Sequence, residues 1–91
     1  MEQAYQVYVI QNPVGRFYIG LTEDVQVRLQ QHNEGVSTWT RTRGPWSLAW
    51  TSSHMSLGEA RKLEILLKKQ KGGSGFYRMT GITDERRSSG S

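Results

Sequence analysis

Two short apolar runs open the chain, Tyr5 to Gln11 and Phe17 to Leu21. Both are rich in β-branched and aromatic residues, and Asn12-Pro13-Val14-Gly15 stands between them. Such runs around turn-forming residues predict a β-hairpin. Pro13 suits the second position of a type I turn and Gly15 the left-handed position that closes a three-residue loop, so Asn12 should face Arg16. Counting outward pairs Ile10 with Tyr18 and Tyr8 with Gly20. Strand side chains alternate between faces, so Tyr8, Ile10 and Tyr18 then share one face, with Gly20 leaving room beside the Tyr8 ring. On the hairpin alone the two tyrosines read first as ordinary half-buried strand aromatics.

After Leu21 the period lengthens. Thr22 suits a helix N-cap, with Glu23 and Asp24 in the first turn where the helix dipole favours negative charge. Val25 and Leu29 form the inward stripe, Arg28 and His32 line a neighbouring face, and Asn33-Glu34-Gly35 is a stop signal. An Asp24–Arg28 surface pair and a dipole-favoured His32 are the structural alternatives for those two residues. Val36 to Gly44 reads as a polar loop rich in Thr and Arg, with Trp39 inside it. Trp46 to Thr51 reads as a third strand with Trp46, Leu48 and Trp50 on one face. Reached through a helix, this strand is expected to run parallel to a hairpin strand, making the sheet mixed.

Ser56-Leu57-Gly58-Glu59 is a capping box that starts a second helix. Its apolar stripe is Leu57, Ala60, Leu63 and Leu67 with Leu66 beside them, and Gly72-Gly73 ends it. At 100° per residue Glu64 falls on the edge of that stripe, one turn before Lys68. A carboxylate turned toward a core needs a cation to meet it, although an exposed Glu64–Lys68 pair satisfies the same spacing. Gly75 to Ile82 has apolar residues enough to pack back as a short strand or a turn of helix. Residues 83–91 have no apolar side chain and are expected to be disordered, leaving residues 1–82 as one domain.

Composition narrows the chemistry. At 91 residues with 35% hydrophobic content the chain supports one small core. It has no run of the roughly 20 apolar residues that span a bilayer and no signal-peptide layout, which places it in the cytoplasm as an expectation. With no cysteine and only His32 and His54, thiolate chemistry and a structural zinc site are excluded, and any metal would be a hard cation on oxygen. The net charge of +4 and pI near 9.8 favour a polyanionic partner. Arg41, Arg43, Arg61, Lys62, Lys68, Lys69, Lys71 and Arg78 gather from residue 41 onward, with Glu2, Glu23, Asp24 and Glu34 earlier. Arg, Thr and Trp39 in the 36–44 loop suit contacts to phosphate and bases, and a Trp tucked onto the domain suits the same composition.

Taken together, Gln6-Val7-Tyr8, the intact Tyr18-Ile19-Gly20, the Arg28-Leu29-x-x-His32-Asn33 run, Thr40 to Leu48 and the Glu64 helix resemble the GIY-YIG nuclease family, in particular its small single-domain members. The resemblance covers about residues 5 to 82. It departs where Gln6 replaces a glycine and where an asparagine that some members carry after the glutamate helix is absent. It implies an α+β fold with a small mixed three-stranded sheet flanked by helices. It also implies a divalent-metal-dependent endonuclease hydrolysing DNA phosphodiesters, in repair or processing. The implied catalytic residues are Tyr8, Tyr18, Arg28, His32 and Glu64. Glu64 would hold Mg²⁺ or Mn²⁺, Arg28 would bind the phosphate, Tyr8 is the candidate general base, Tyr18 would position water or phosphate, and His32 would assist proton transfer. Arg41, Arg43, Arg61, Lys68 and Lys71 are the candidate nucleic-acid contacts. A weakly catalytic nucleic-acid-binding module is the alternative, and a protein-interaction domain anchored by its three tryptophans is a third class.

Overall fold

A computed structural model describes residues 4–35, 43–71 and 73–82. The predicted 83–91 tail, Arg41 and Trp39 lie outside the described residues. The hairpin forms as the sequence dictates: β1 (Gln6–Gln11) pairs antiparallel with β2 (Phe17–Thr22), with Tyr8 opposite Gly20 and Ile10 opposite Tyr18. The turn closes through Gly15 N–H donating to the Asn12 carbonyl at 3.0 Å, and Gly15 takes φ 88°. The Asn12 side chain also accepts from Arg16 N–H at 2.8 Å and donates to the Arg43 carbonyl at 3.0 Å, which explains a buried asparagine at a hairpin end.

Helix α1 (Val25–Asn33) follows, capped by Asp24 rather than Thr22. Thr22 is the last residue of β2, and its hydroxyl accepts from Asp24 N–H at 3.1 Å, while the Asp24 carboxylate accepts from Val27 N–H at 3.2 Å. Glu23 and Asp24 therefore precede the first helical turn instead of filling it. Val25 and Leu29 face the sheet as their spacing requires, and Gly35, at φ 87°, follows the helix end.

The strand β3 (Ser47–Thr51) corrects the mixed sheet. Strand order is β2-β1-β3, and β3 is antiparallel to β1. The helical crossover does make β3 run in the same direction as β2, but β1 lies between them, so every hydrogen-bonded pair is antiparallel. A register shift also breaks the expected alternation. Val9 faces Trp50 and Ile10 faces Leu48, leaving Ala49 as the extra residue of a β-bulge. Trp46 consequently packs with Tyr8 and Ile10, whereas Ala49 and Trp50 pack with Val7 and Val9 on the other face, and Leu48 is exposed.

Helix α2 (Leu57–Gln70) starts at the capping box, Ser56 and Glu59 exchanging side-chain to backbone hydrogen bonds as predicted. Ala60 and Leu67 are fully buried with Leu63 beside them, but Leu57 and Leu66 are exposed because a three-stranded sheet covers only a narrow stripe of the helix. Residues 75–82 resolve as helix α3 (Ser74–Thr80), ended by Gly81 at φ 76°. Phe76 lies 5.0 Å from the Phe17 ring, centre to centre. Burying such a side chain contributes roughly 1.5–3 kcal/mol.

The sheet thus carries α2 and α3 against Val7, Val9, Phe17 and Ile19, and α1 against Tyr8 and Ile10. β1 is buried on both faces, and among the described residues no helix is long and apolar enough to cross a membrane.

Candidate active site

The α1 face of the sheet holds the chemistry. Tyr8 on the central strand is 1% exposed, and its hydroxyl is 2.8 Å from His32 Nε2. The phenol donates when His32 is the Nδ1–H tautomer. His32 is also 1% exposed, so it is neither the surface residue of a frayed helix end nor a solvated cation. The Tyr8 and Tyr18 rings are 6.4 Å apart, the Tyr18 and His32 rings 4.7 Å apart edge to face, and Trp46 closes the far side at 6.4 Å from Tyr18.

Gly20 makes this arrangement possible. A Cβ there would lie 2.5 Å from Tyr8 Cζ and 2.7 Å from Cε1. The phenol therefore lies directly over the β2 backbone, at the sheet edge that α2 approaches. There the Arg28 charge favours ionisation of the Tyr8 hydroxyl, while Tyr18 and Glu64 oppose it.

Electrostatics set the protonation states. Burial pushes the Tyr8 phenol up to about 12, outweighing the hydrogen bond and positive charge of Arg28, which pull it down. In the protein alone Tyr8 is a neutral phenol and not a phenolate base. Burial, then the nearby Arg28 charge, brings His32 down to about 4, so its imidazole is neutral at pH 7. Arg28 is half-buried and donates to Gln31 Oε1 at 2.9 Å, and Asp24, its surface-pair alternative, serves as the helix cap.

Glu64 does sit at the edge of the buried stripe. Its side chain is 15% exposed and lies 3.2 Å from the Lys68 ammonium, which is 56% exposed. Among the described residues no cluster of three or more His, Cys, Asp or Glu side chains surrounds a metal position. A Mg²⁺-type ion needs no such cluster, since it keeps several waters and binds through one or two carboxylates and substrate phosphate. A largely shielded carboxylate whose partner is an exposed lysine fits that donor set.

Of the five expected catalytic residues, Tyr18 and His32 contact Tyr8, and Arg28 and Glu64 lie close enough for their charges to act on its phenol. The expected nucleic-acid contacts spread further: Lys68 pairs with Glu64, Lys71 caps α2, Arg61 is exposed one turn before Glu64, and Arg43 lies beneath the hairpin turn. Two residues of consequence escape sequence reasoning. Asn33 accepts from Trp46 N–H at 2.6 Å and donates to the Trp46 carbonyl at 2.9 Å, tying the end of α1 to the start of β3 and holding His32 and Trp46 in one wall. Arg16 lies close enough to Lys71 to affect its charge. The Arg28 to Asn33 run contained the first signal, but its partner lies 13 residues away in sequence. The tryptophans also answer the protein-anchor reading, because Trp46 and Trp50 serve the core.

Known proteins resemble the chain at the level of sequence family. The family model of the GIY-YIG catalytic domain matches residues 4–78. A UPF0213 protein of Streptococcus sanguinis is 38% identical over 71 residues, covering 77% of this chain and 82% of that protein. A UPF0213 protein of Halobacterium salinarum is 41% identical over 66 residues, covering 71% and 86%. The solution NMR structure of a UPF0213 protein from Bacillus halodurans is 31% identical, covers 79% of this chain and 89% of its own, and superposes with a TM-score of 0.44.

Proposed function

Because the chain belongs to the GIY-YIG catalytic-domain family, whose activity is that of a nuclease, we propose that it is a divalent-metal-dependent endonuclease acting on DNA. The observation that carries the reading is the buried Tyr8 hydroxyl in contact with His32 and beside Tyr18, within reach of the charges of Arg28 and Glu64. Glu64 would hold Mg²⁺ or Mn²⁺, which when bound supplies positive charge to the phosphoryl oxygens. Arg28 offers planar donors to the same phosphate. Tyr18 forms the wall beside the attacking water.

Proton transfer follows from the Tyr8–His32 contact. As the water oxygen bonds to phosphorus and the P–O bond to the leaving oxygen breaks, the water proton passes to the Tyr8 oxygen while the phenol proton moves to His32 Nε2, so no free phenolate forms, and the departing oxygen takes its proton from solvent. An imidazole brought down to about 4 is a weak base, partly because Arg28 is cationic. A phosphate bound to Arg28 cancels that charge and raises the basicity of His32 when substrate is present. Lys68, paired with Glu64 at 3.2 Å, would hold that carboxylate in place to receive the ion. DNA repair or processing is the setting the family suggests.

The test is cleavage of a panel of labelled duplex, nicked, flap and branched DNAs with Mg²⁺, Mn²⁺ or chelator. Metal-dependent cleavage should fall at least about 100-fold in Glu64→Gln and in Arg28→Ala. Cleavage that survives both changes, or none in wild type on any substrate, overturns the reading. Binding without cleavage supports the alternative, a nucleic-acid-binding module.

A further inference from the structure

Asn12, buried at 7% exposure, holds the backbones of two arginines that are distant in sequence. Its Oδ1 accepts from Arg16 N–H at 2.8 Å and its Nδ2 donates to the Arg43 carbonyl at 3.0 Å, while its own N–H donates to the Arg16 carbonyl at 3.0 Å. An amide engaged at both its oxygen and its nitrogen fixes how far apart the two chain segments run. Both arginines are exposed, and with Asn12, Pro13, Val14 and Gly44 they line an open groove of about 460 Å³. Among the described residues no carboxylate lines it.

The groove borders the catalytic face. Asn12 and Arg16 continue the pairing of Ile10 with Tyr18 by two residues, the period that returns a strand side chain to the same face, about 7 Å farther along. On the other wall Gly44 packs against Trp46 and Asn33, where a Cβ would lie 3.2 Å from Trp46 Cδ1 and 3.6 Å from Asn33 Oδ1. Trp46 is itself a wall of the Tyr18–His32 site, 6.4 Å from the Tyr18 ring.

We propose that this groove is a second phosphate subsite, in which Arg16 and Arg43 grip the nucleic-acid backbone beside the reacting phosphodiester. The inference takes its substrate from the nuclease reading, but its own content is binding. Guanidinium groups suit the task, since each is a planar fork of donors that matches phosphate oxygens and stays charged at any working pH. The Asn12 bond to Arg16 N–H closes the hairpin, as a turn asparagine does. Its bond to the Arg43 carbonyl lies outside the hairpin, and it brings a second arginine to the groove. Each phosphate contact also releases condensed counterions, which gives the subsite a measurable signature.

The experiment measures binding of a fluorescent random-sequence DNA duplex to the full chain in EDTA, across a range of KCl concentrations. Arg16→Ala and Arg43→Ala should each weaken binding and make the slope of log K against log salt shallower by about 1. Arg16→Lys should retain most of the slope. Arg78→Ala, at an exposed arginine of α3 on the opposite side of the sheet, supplies the control of equal charge change. Circular dichroism checks that each variant folds. A slope unchanged in either Arg16→Ala or Arg43→Ala, or lowered no more than in Arg78→Ala, overturns the subsite, as does failure of the wild type to bind DNA. Cleavage by a wild type whose two arginine variants keep its slope leaves the nuclease reading standing without the subsite. Shallower slopes in both variants of a protein that never cleaves DNA overturn the nuclease reading and leave the subsite standing.

Discussion

The Tyr8 hydroxyl and His32 Nε2 are 2.8 Å apart, joining the central strand to the last turn of α1 inside a buried site. Both partners are held neutral, the phenol near 12 and the imidazole near 4, and for both the main cause is burial. The contact therefore has structural and chemical consequences that can be measured separately.

The first is pH-dependent stability. Unfolded His32 takes up its proton near pH 6.5, whereas folded His32 does so only near 4. Between these values the unfolded chain binds more protons, so the His32 contribution is complete above about 6.5 and is lost as pH falls toward 4. A displacement of this size corresponds to roughly 3 kcal/mol. Urea denaturation across this range should show the loss, and NMR should show His32 titrating well below 6.5. At the alkaline end Tyr8 adds stability below pH 10 that is lost as pH rises toward 12.

Tyr8→Phe removes the hydroxyl and leaves His32 Nε2 buried without this partner. We expect a loss of about 1–3 kcal/mol in stability. Under the proton-transfer scheme cleavage should fall much further than the small change in DNA affinity. Equal losses in binding and cleavage would count against Tyr8 as a proton carrier.

Gly20→Ala places a methyl against the Tyr8 ring, which is pinned by His32 and has no free space to enter. Overpacking of this kind costs about 1–3 kcal/mol. The displaced phenol should also lose its hydrogen bond, so the His32 titration moves along with thermal stability. A variant as stable as wild type with an unchanged His32 titration would refute the close approach.

Asn33→Ala removes both hydrogen bonds to the Trp46 backbone and leaves that peptide without them. A destabilisation of about 1–3 kcal/mol follows. Loosening of the Trp46 wall should appear as a change in tryptophan fluorescence before global unfolding. Asn33→Asp keeps the acceptor and loses the donor, so it should fall between the two.

Much of the site was legible because its rules are local. The turn residues Pro13 and Gly15 determine the hairpin register, the two-residue strand period puts Tyr8 and Tyr18 on one face, and Ser56 with Glu59 starts the helix whose period brings Glu64 to the edge of its stripe. Each rule acts over a few residues, so the sequence by itself determined these features. Tertiary structure decided the rest. Whether β3 sits beside β1 or β2, where Ala49 bulges, which backbone Asn33 clamps and which arginine shares a groove with Arg16 all depend on surfaces distant in sequence. The protonation of Tyr8 and His32 belongs to the same class, because desolvation is set by everything packed around a group and not by its neighbours along the chain.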